Sequence, residues 1–385
     1  MKTFSKLLLS GIAELLILVS LGVGVRAQNT PTPAKALLIL EKDSTQLDII
    51  DPASLKIVGH IPVGEDPHEV IASADGKTAY VSNYMGRGGA HHQLTVIDLV
   101  AQKQLAPIDL GALEAPHGLD FAGGKLYFTA EAAKAIGRYD PATGKIDWVM
   151  GTGQDRTHMV WVAKSLDKIV TSNVSSGTVS IIEEVTQQGG PGGPPAPGRG
   201  AGPGPQGGPG RQAGPSPGFS GNQKAWEVTD VTAGAGSEGF DVSPDGKQIW
   251  TANAQDNTAT IIDLVAKKDL AVIPISVRGA NRLKFTLDGK YVLISGLGAG
   301  GPGRSQAAGS PPPDLVVIDV ASRKEIKKLS LGGGSAGILM DPDGTRAFVA
   351  SSGGNKVLIV DLKSFSVTGE ISPLGQPDGM AWAIR

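Results

Sequence analysis

The 385-residue chain contains no cysteine. That excludes disulfides, thiolate-held zinc, iron–sulfur clusters, a thiol nucleophile, Cys-x-x-Cys-His haem attachment and a lipidated cysteine anchor. A surplus of charge is lacking as well: 35 Lys and Arg stand against 37 Asp and Glu, a formal net charge of −2. With no basic excess there is no electrostatic case for nucleic acid. Metal-type HxxxH or HxH spacing, a Gly-x-Ser-x-Gly nucleophile elbow and a paired-carboxylate signature are all missing. Any chemistry must therefore be assembled by the fold.

Long apolar runs are lacking but for one, Leu7–Val25, broken by Glu14. Lys2 and Lys6 precede it and Val25-Arg26-Ala27 follows, so residues 1–27 read as an export signal cleaved before Gln28. Glu14 near mid-run argues against a retained anchor. The expectation is an exported bacterial protein, periplasmic or extracellular, with no membrane span after cleavage. Without disulfides, such a protein must be held together by its core.

Glycine and proline are abundant, at 54 and 26, but unevenly placed: residues 189–221 hold 14 of the glycines and 9 of the prolines. That composition cannot bury a core, so 187–222 reads as a disordered insertion, with a smaller one at 298–313. Neither keeps a glycine at every third position, which excludes a collagen helix.

What remains is a repeat, cleanest at Ser237–Leu264. GFDVS, the turn Pro244-Asp245-Gly246-Lys247, QIWTAN and TATIIDL read as three strands in order, since Asp-Gly between apolar runs signals a hairpin. Aligning the residue that opens each first strand gives His68, His117, His158, Glu238, Asn281, Ala336 and Asp378. Fifteen positions after five of these come Asn83, Asn173, Asn253, Gly296 and Ser351, while a shorter hairpin brings the third unit to Ala130–Glu131. An acid then ends each third strand, at Asp51, Asp98, Asp140, Glu183, Asp263, Asp319 and Asp361, where it can cap the amides of the next turn. Four strands every 40-odd residues predict an all-β, seven-bladed β-propeller of four-stranded antiparallel blades, residues 28–385. The first copy lacks a first strand and Pro377–Arg385 supplies one, so the two termini would share a blade and close the ring.

Tyr80-Val81-Ser82-Asn83 and Trp250-Thr251-Ala252-Asn253, each after a Pro/Ala-Asp-Gly-Lys turn and before an apolar run ending in Ile-Asp, resemble the YVTN-type propeller repeat. That family is similar in fold to surface-layer propellers, lactonase-type enzymes and the N-terminal domain of nitrous-oxide reductase. The resemblance implies the fold and leaves activity open, because the motif consists of turn and core residues. The third and sixth units depart from it. Quinone-cofactor propellers match poorly, since their regular tryptophan signature has no counterpart in Trp148, Trp161, Trp226, Trp250 and Trp382. No haem, iron–sulfur cluster or quinone is expected.

Strand direction places first-strand starts, second-strand ends and the links after them on one face of the ring. There the candidate metal ligands are His68, His117, His158 and Glu238, three imidazoles and a carboxylate from four successive blades, suited to copper or a divalent ion such as zinc or iron. Candidate ligand-binding residues are Glu41, Asn83, Asn173, Asn253, Asn281, Asp378, Arg156 and Arg282. Arg87, His91 and His92 reach the same rim from the link of blade two, and only His60 falls on an outer strand. An unliganded polar funnel is the alternative to a metal. The first functional reading is a monomeric scaffold binding a protein, glycan or small molecule. The second is a metal-assisted or His/Glu-based hydrolase or lyase, lactonase-like, with His68, His117, His158 and Glu238 as catalytic candidates.

Overall fold

The computed structural model describes residues 30–187, 223–298 and 314–385. The proposed signal segment 1–27 and nearly all of the insertions 187–222 and 298–313 lie outside the described residues. No α-helix occurs among the described residues, and none is long and apolar enough to cross a membrane.

The hairpin turns form as their chemistry demands. Asp245 Oδ1 accepts the Lys247 amide at 3.1 Å, and Gly246 takes a φ of 70° that a side chain would resist. The acids closing third strands cap the following turn: Asp98 Oδ1 accepts from the Val100 and Ala101 amides, and Asp263 Oδ1 from those of Val265 and Ala266. Glu183 differs; it pairs with Lys168 and Lys267 instead.

These hairpins build seven antiparallel sheets, each of four strands except that the outer strand of blade two is split into Lys103–Gln104 and Ile108–Asp109. Blade one takes its inner strand, Pro377–Ile384, from the C-terminus, paired with Lys35–Glu41. The other inner strands are Pro67–Ala72, Pro116–Ala122, Thr157–Val162, Ser237–Val242, Ala280–Phe285 and Ser335–Met340. Each touches the next around a closed ring. Middle strands such as Gln248–Asn253 are buried on both faces, and their apolar side chains pack between blades, as Trp250 does against Phe285.

The ring closes tightly because small and large residues alternate at the third position of the inner strands. A Cβ on Gly118 would strike the backbone of His158 and Met159; one on Gly239 that of Asn281 and Arg282; one on Gly379 that of His68 and Glu69. The glycines admit the neighbouring strand, while Glu69, Met159 and Arg282 fill the axis. Arg282 of blade six and Glu69 of blade two lie across the ring from one another and meet at 2.6 Å. The axis is thus bridged by an ion pair rather than left as an open bore.

Gly379→Ala should cost about 3 kcal/mol, because the clash is with backbone that cannot move aside. Urea denaturation will check this, with Gly151→Ala, whose Cβ would meet nothing within 4 Å, staying within about 0.5 kcal/mol of wild type.

Candidate functional site

Before six inner strands the chain turns through a left-handed residue: Asp66, Ala115, Arg156, Gly236, Gly279 and Gln376 all have φ between 46° and 76°. The turn delivers the second residue after it to the axial rim. Of the sequence candidates, His68, His117, His158, Glu238 and Asp378 come together there, with Asn281 and Arg282 beneath them. Asn281 accepts from the Arg282 guanidinium at 3.3 Å.

Three residues that sequence reasoning did not select complete the cluster: Lys42, Tyr84 and Glu131. Each stands one position past the end of a second strand. Alternation along the strand explains the choice. The strand-ending residues Asn83, Asn173 and Asn253 turn back into their own blades, bonded to Thr95, to Thr178 and Ser180, and to Thr258 and Thr260. The successor of Asn83, Tyr84, reaches the rim, as Lys42 does after Glu41. In the third unit the strand-ending residue is Ala130, opposite Pro116 as Asn83 is opposite Pro67. Glu131 therefore reaches the rim.

The contacts are dense. His117 Nε2 lies 3.1 Å from His68 Nδ1, and His68 Nε2 lies 3.1 Å from Asp66 Oδ1. The His117 and His158 rings stack with centroids 3.7 Å apart. His158 Nδ1 hydrogen-bonds Glu131 Oε1, and Glu131 Oε2 accepts from Tyr84 at 2.6 Å and from Arg156 at 3.3 Å. His158 Nε2 is 2.9 Å from Glu238 Oε2, close enough for charge pairing but off the line of a hydrogen bond. Lys42 joins His68 to Asp378, 2.9 Å from the carboxylate. His117 and His158 are only 1% and 3% exposed. Two of their nitrogens, His117 Nδ1 and His158 Nε2, have no hydrogen-bond partner.

Electrostatics splits the two stacked imidazoles. Burial depresses His117, and the cations around it, His158 first, push it further down, so it is neutral. Burial acts the same way on His158, but Glu238 and Glu131 override it and lift the pKa. Glu238, which burial alone would raise, is drawn down to about 2 by His158, Arg156 and Arg282. Burial likewise opposes ionisation of Glu131 and Asp378, yet their cationic neighbours hold both below the ordinary range. Arg282 stays charged because Glu69, Asp378 and Glu238 outweigh its burial. The Glu69–Arg282 pair closes the axis beneath the cluster. Behind it the opposite mouth holds a separate cavity of about 400 Å³ among Phe121, Trp161, Phe240 and Trp382. A larger cleft of about 600 Å³, lined by Tyr80, Pro107 and Tyr139, opens on the outer flank and does not reach the rim.

The remaining candidates sit elsewhere. Arg156 reaches the cluster's edge, 4.0 Å from Glu238. His91 approaches Glu65 and His92 pairs with Asp109 at 3.0 Å, both away from the axis; the Arg87 amide bonds Glu65, and His60 lies on the outer strand of blade one beside Asp48. Glu41 occupies the strand-end position of blade one and, like the asparagines, faces its own blade. It accepts from Ser44 and the Gly375 amide. Asp48 stands where blades two, four and five carry Thr95, Ser180 and Thr260, giving a buried carboxyl–carboxylate pair. Burial first, then Glu41, raises Asp48 to about 9. Its Oδ2 meets no donor of the protein, and a proton there given to Glu41 satisfies both groups.

Among the described residues, one group could hold a metal: His117, Glu131 and His158, whose donor atoms lie within 4.8 Å of one another. Two nitrogens and a carboxylate oxygen are a donor set for zinc and its first-row neighbours.

Neither a protein-family model nor any curated protein matches the chain. Solved structures do resemble it. One is a functionally unknown protein from Desulfotomaculum acetoxidans, 12% identical, TM-score 0.65, over 91% of this chain and 99% of that one. Another is a candidate 6-phosphogluconolactonase from Bacteroides fragilis, 14% identical, TM-score 0.63, over 92% and 99%. A third is hydrazine synthase from Kuenenia stuttgartiensis, 15% identical, TM-score 0.60, over 82% and 89%. At such identities the likeness is one of fold.

Two predictions follow from the buried charges. Glu69→Ala, which leaves Arg282 unpaired at the axis, should cost about 3–5 kcal/mol, whereas replacing both residues by leucine should cost far less; denaturant titration of the single and double variants separates the two. For Asp48 the folded pKa is raised above its unfolded 3.8, so its contribution is full below about pH 4 and is lost as pH rises through about 9. Within that window stability should fall by up to about 1.4 kcal/mol per pH unit. Asp48→Asn should flatten the dependence, read from urea midpoints at pH 5 and pH 8.

Proposed function

We propose that this is an exported YVTN-type propeller, monomeric, that binds a small polar ligand in the axial cup formed by His68, His117, His158, Glu131, Glu238 and Asp378. A protein or glycan carrying such a group could dock on the same rim. The observation that carries the reading is a buried ring nitrogen without a hydrogen-bond partner, His117 Nδ1, beside His158 and above the ion pair that closes the axis. Unpaired buried polar atoms cost about 1–3 kcal/mol each, which a bound ligand repays. Export rests on Lys2, Lys6, the run Leu7–Val25 and the Val25-Arg26-Ala27 site.

A second reading, a His/Glu-based hydrolase or lyase, draws on the contrast between the stacked imidazoles. A neutral His117 beside a charged His158 supplies a base and an acid in one site. The lactone chemistry named for the Bacteroides fragilis protein gives the substrate class to try first.

Thermal-shift screening of the mature chain against sugar acids, lactones and biogenic amines tests the first reading. At least one class should raise the melting temperature, and Glu238→Gln should abolish the rise. No response in wild type, or an equal response in the variant, would sink it. Hydrolysis of δ-gluconolactone and 6-phosphogluconolactone above the spontaneous rate, lost in His117→Ala, would move the assignment to the enzyme.

A further inference from the structure

We propose that the occupant of the axial cup is a divalent transition-metal ion held by His117 Nδ1, a ring nitrogen of His158 from which the ion displaces the proton, and a carboxylate oxygen of Glu131. The proposal rests on the reading of the cup as a ligand site and names the ligand. It departs from the set expected from sequence: Glu131 replaces His68 in the ligand shell, and His68 moves behind it.

The relay behind His117 is the first support. Asp66 Oδ1 faces His68 Nε2 at 3.1 Å, and His68 Nδ1 faces His117 Nε2 at 3.1 Å. Lys42 Nζ lies 3.0 Å from His68 Nε2 and 3.2 Å from Nδ1; in the tautomer that gives the proton of His68 to Asp66, Nδ1 accepts and His117 presents Nε2–H to it. The other nitrogen, Nδ1, is then a bare lone pair. It is buried, and no donor of the protein meets it. Metal-bound histidines are oriented in this way, by a carboxylate or another acceptor on the far nitrogen.

Glu131 is the second. Its Oε2 is fixed by Tyr84 and Arg156, while Oε1 faces His158. One carboxylate oxygen is thus anchored and the other turned to the imidazoles. The donors already lie within 4.8 Å of one another and come from three rigid elements: the inner strands of blades three and four, and the end of a second strand. Small side-chain rotations bring such a set to the ~2.0–2.2 Å bond lengths of zinc. Glu238, 2.9 Å from His158 Nε2, stands ready as a further carboxylate or as balance for the added charge.

Selectivity follows from donor type. Two imidazoles favour zinc, copper or iron, whereas calcium and magnesium require mostly oxygen. Lys42, Arg156 and Arg282 near the rim oppose any cation held by charge alone. Only an ion that gains from nitrogen ligation fits.

The test uses the mature chain without a histidine tag, stripped with chelator and titrated with Zn²⁺ and Co²⁺. One ion per chain is expected, with visible cobalt bands and a zinc-dependent rise in melting temperature. His117→Ala and Glu131→Gln should each weaken binding at least about 100-fold, while His92→Ala at an exposed position leaves it unchanged. Should either axial variant fail to fold, X-ray absorption of the zinc-loaded wild type still counts imidazole neighbours, and two are required. The proposal is overturned by absence of a stoichiometric ion, by binding that disappears in His92→Ala, or by all-oxygen coordination. An organic ligand from the thermal-shift screen that binds the metal-free chain through Glu238 while zinc does not would overturn the metal and keep the cup. Failure of both would remove the reading on which it rests.

Discussion

A guanidinium at the centre of the ring sets the terms for everything around it. Arg282 occupies the axis because Gly239 gives its backbone room. Once there, it must be matched by negative charge or the fold pays for an isolated buried ion. Glu69 meets it directly from across the ring, and Asp378 and Glu238 add to the match from the rim. Those carboxylates in turn sustain the charge on His158 and take up Lys42. Core packing and site electrostatics are therefore one arrangement.

The sequence made the rim column legible and hid its neighbours, for a single reason. The second residue of each first strand, as at His68, His117 and His158, sits at a fixed place in a repeat defined by turns, and turns are local. Which residue at the end of the second strand faces the axis depends on the pleat. Asparagine draws attention by recurring, yet it recurs because Asn173 and Asn253 bond to hydroxyls within their own blades. Glu131 was masked further by the shorter hairpin of its unit. The Glu69–Arg282 bridge had no local signal at all, since the two residues are distant in sequence and occur once each. Blade one shows the opposite case, where Glu41 and Asp48 stand in the register of Asn and Thr and convert a hydrogen bond into a shared proton.

The structural relatives agree in fold at 12–15% identity, so the scaffold places few demands on composition beyond turns and core. The polar chemistry of the rim is concentrated on four adjacent blades: Lys42 and Asp378 in the first, His68 and Tyr84 in the second, His117 and Glu131 in the third, His158 in the fourth, with Glu238 next in line. Blades six and seven contribute little polar chemistry to the rim beyond Asn281 and Arg282. The site is lopsided on a nearly symmetric frame, which is how one fold accommodates unrelated activities.

The pairing of Lys35–Glu41 with Pro377–Ile384 has a consequence for synthesis of the protein. The strand that completes the ring comes after every other strand of the ring in the chain, and it brings Asp378 to Lys42 and His68. Contacts separated by nearly the whole chain are slow to form and come late. The axial site thus comes into being only once Pro377–Ile384 has docked, and a nascent or clipped copy without that strand carries the histidines without their setting.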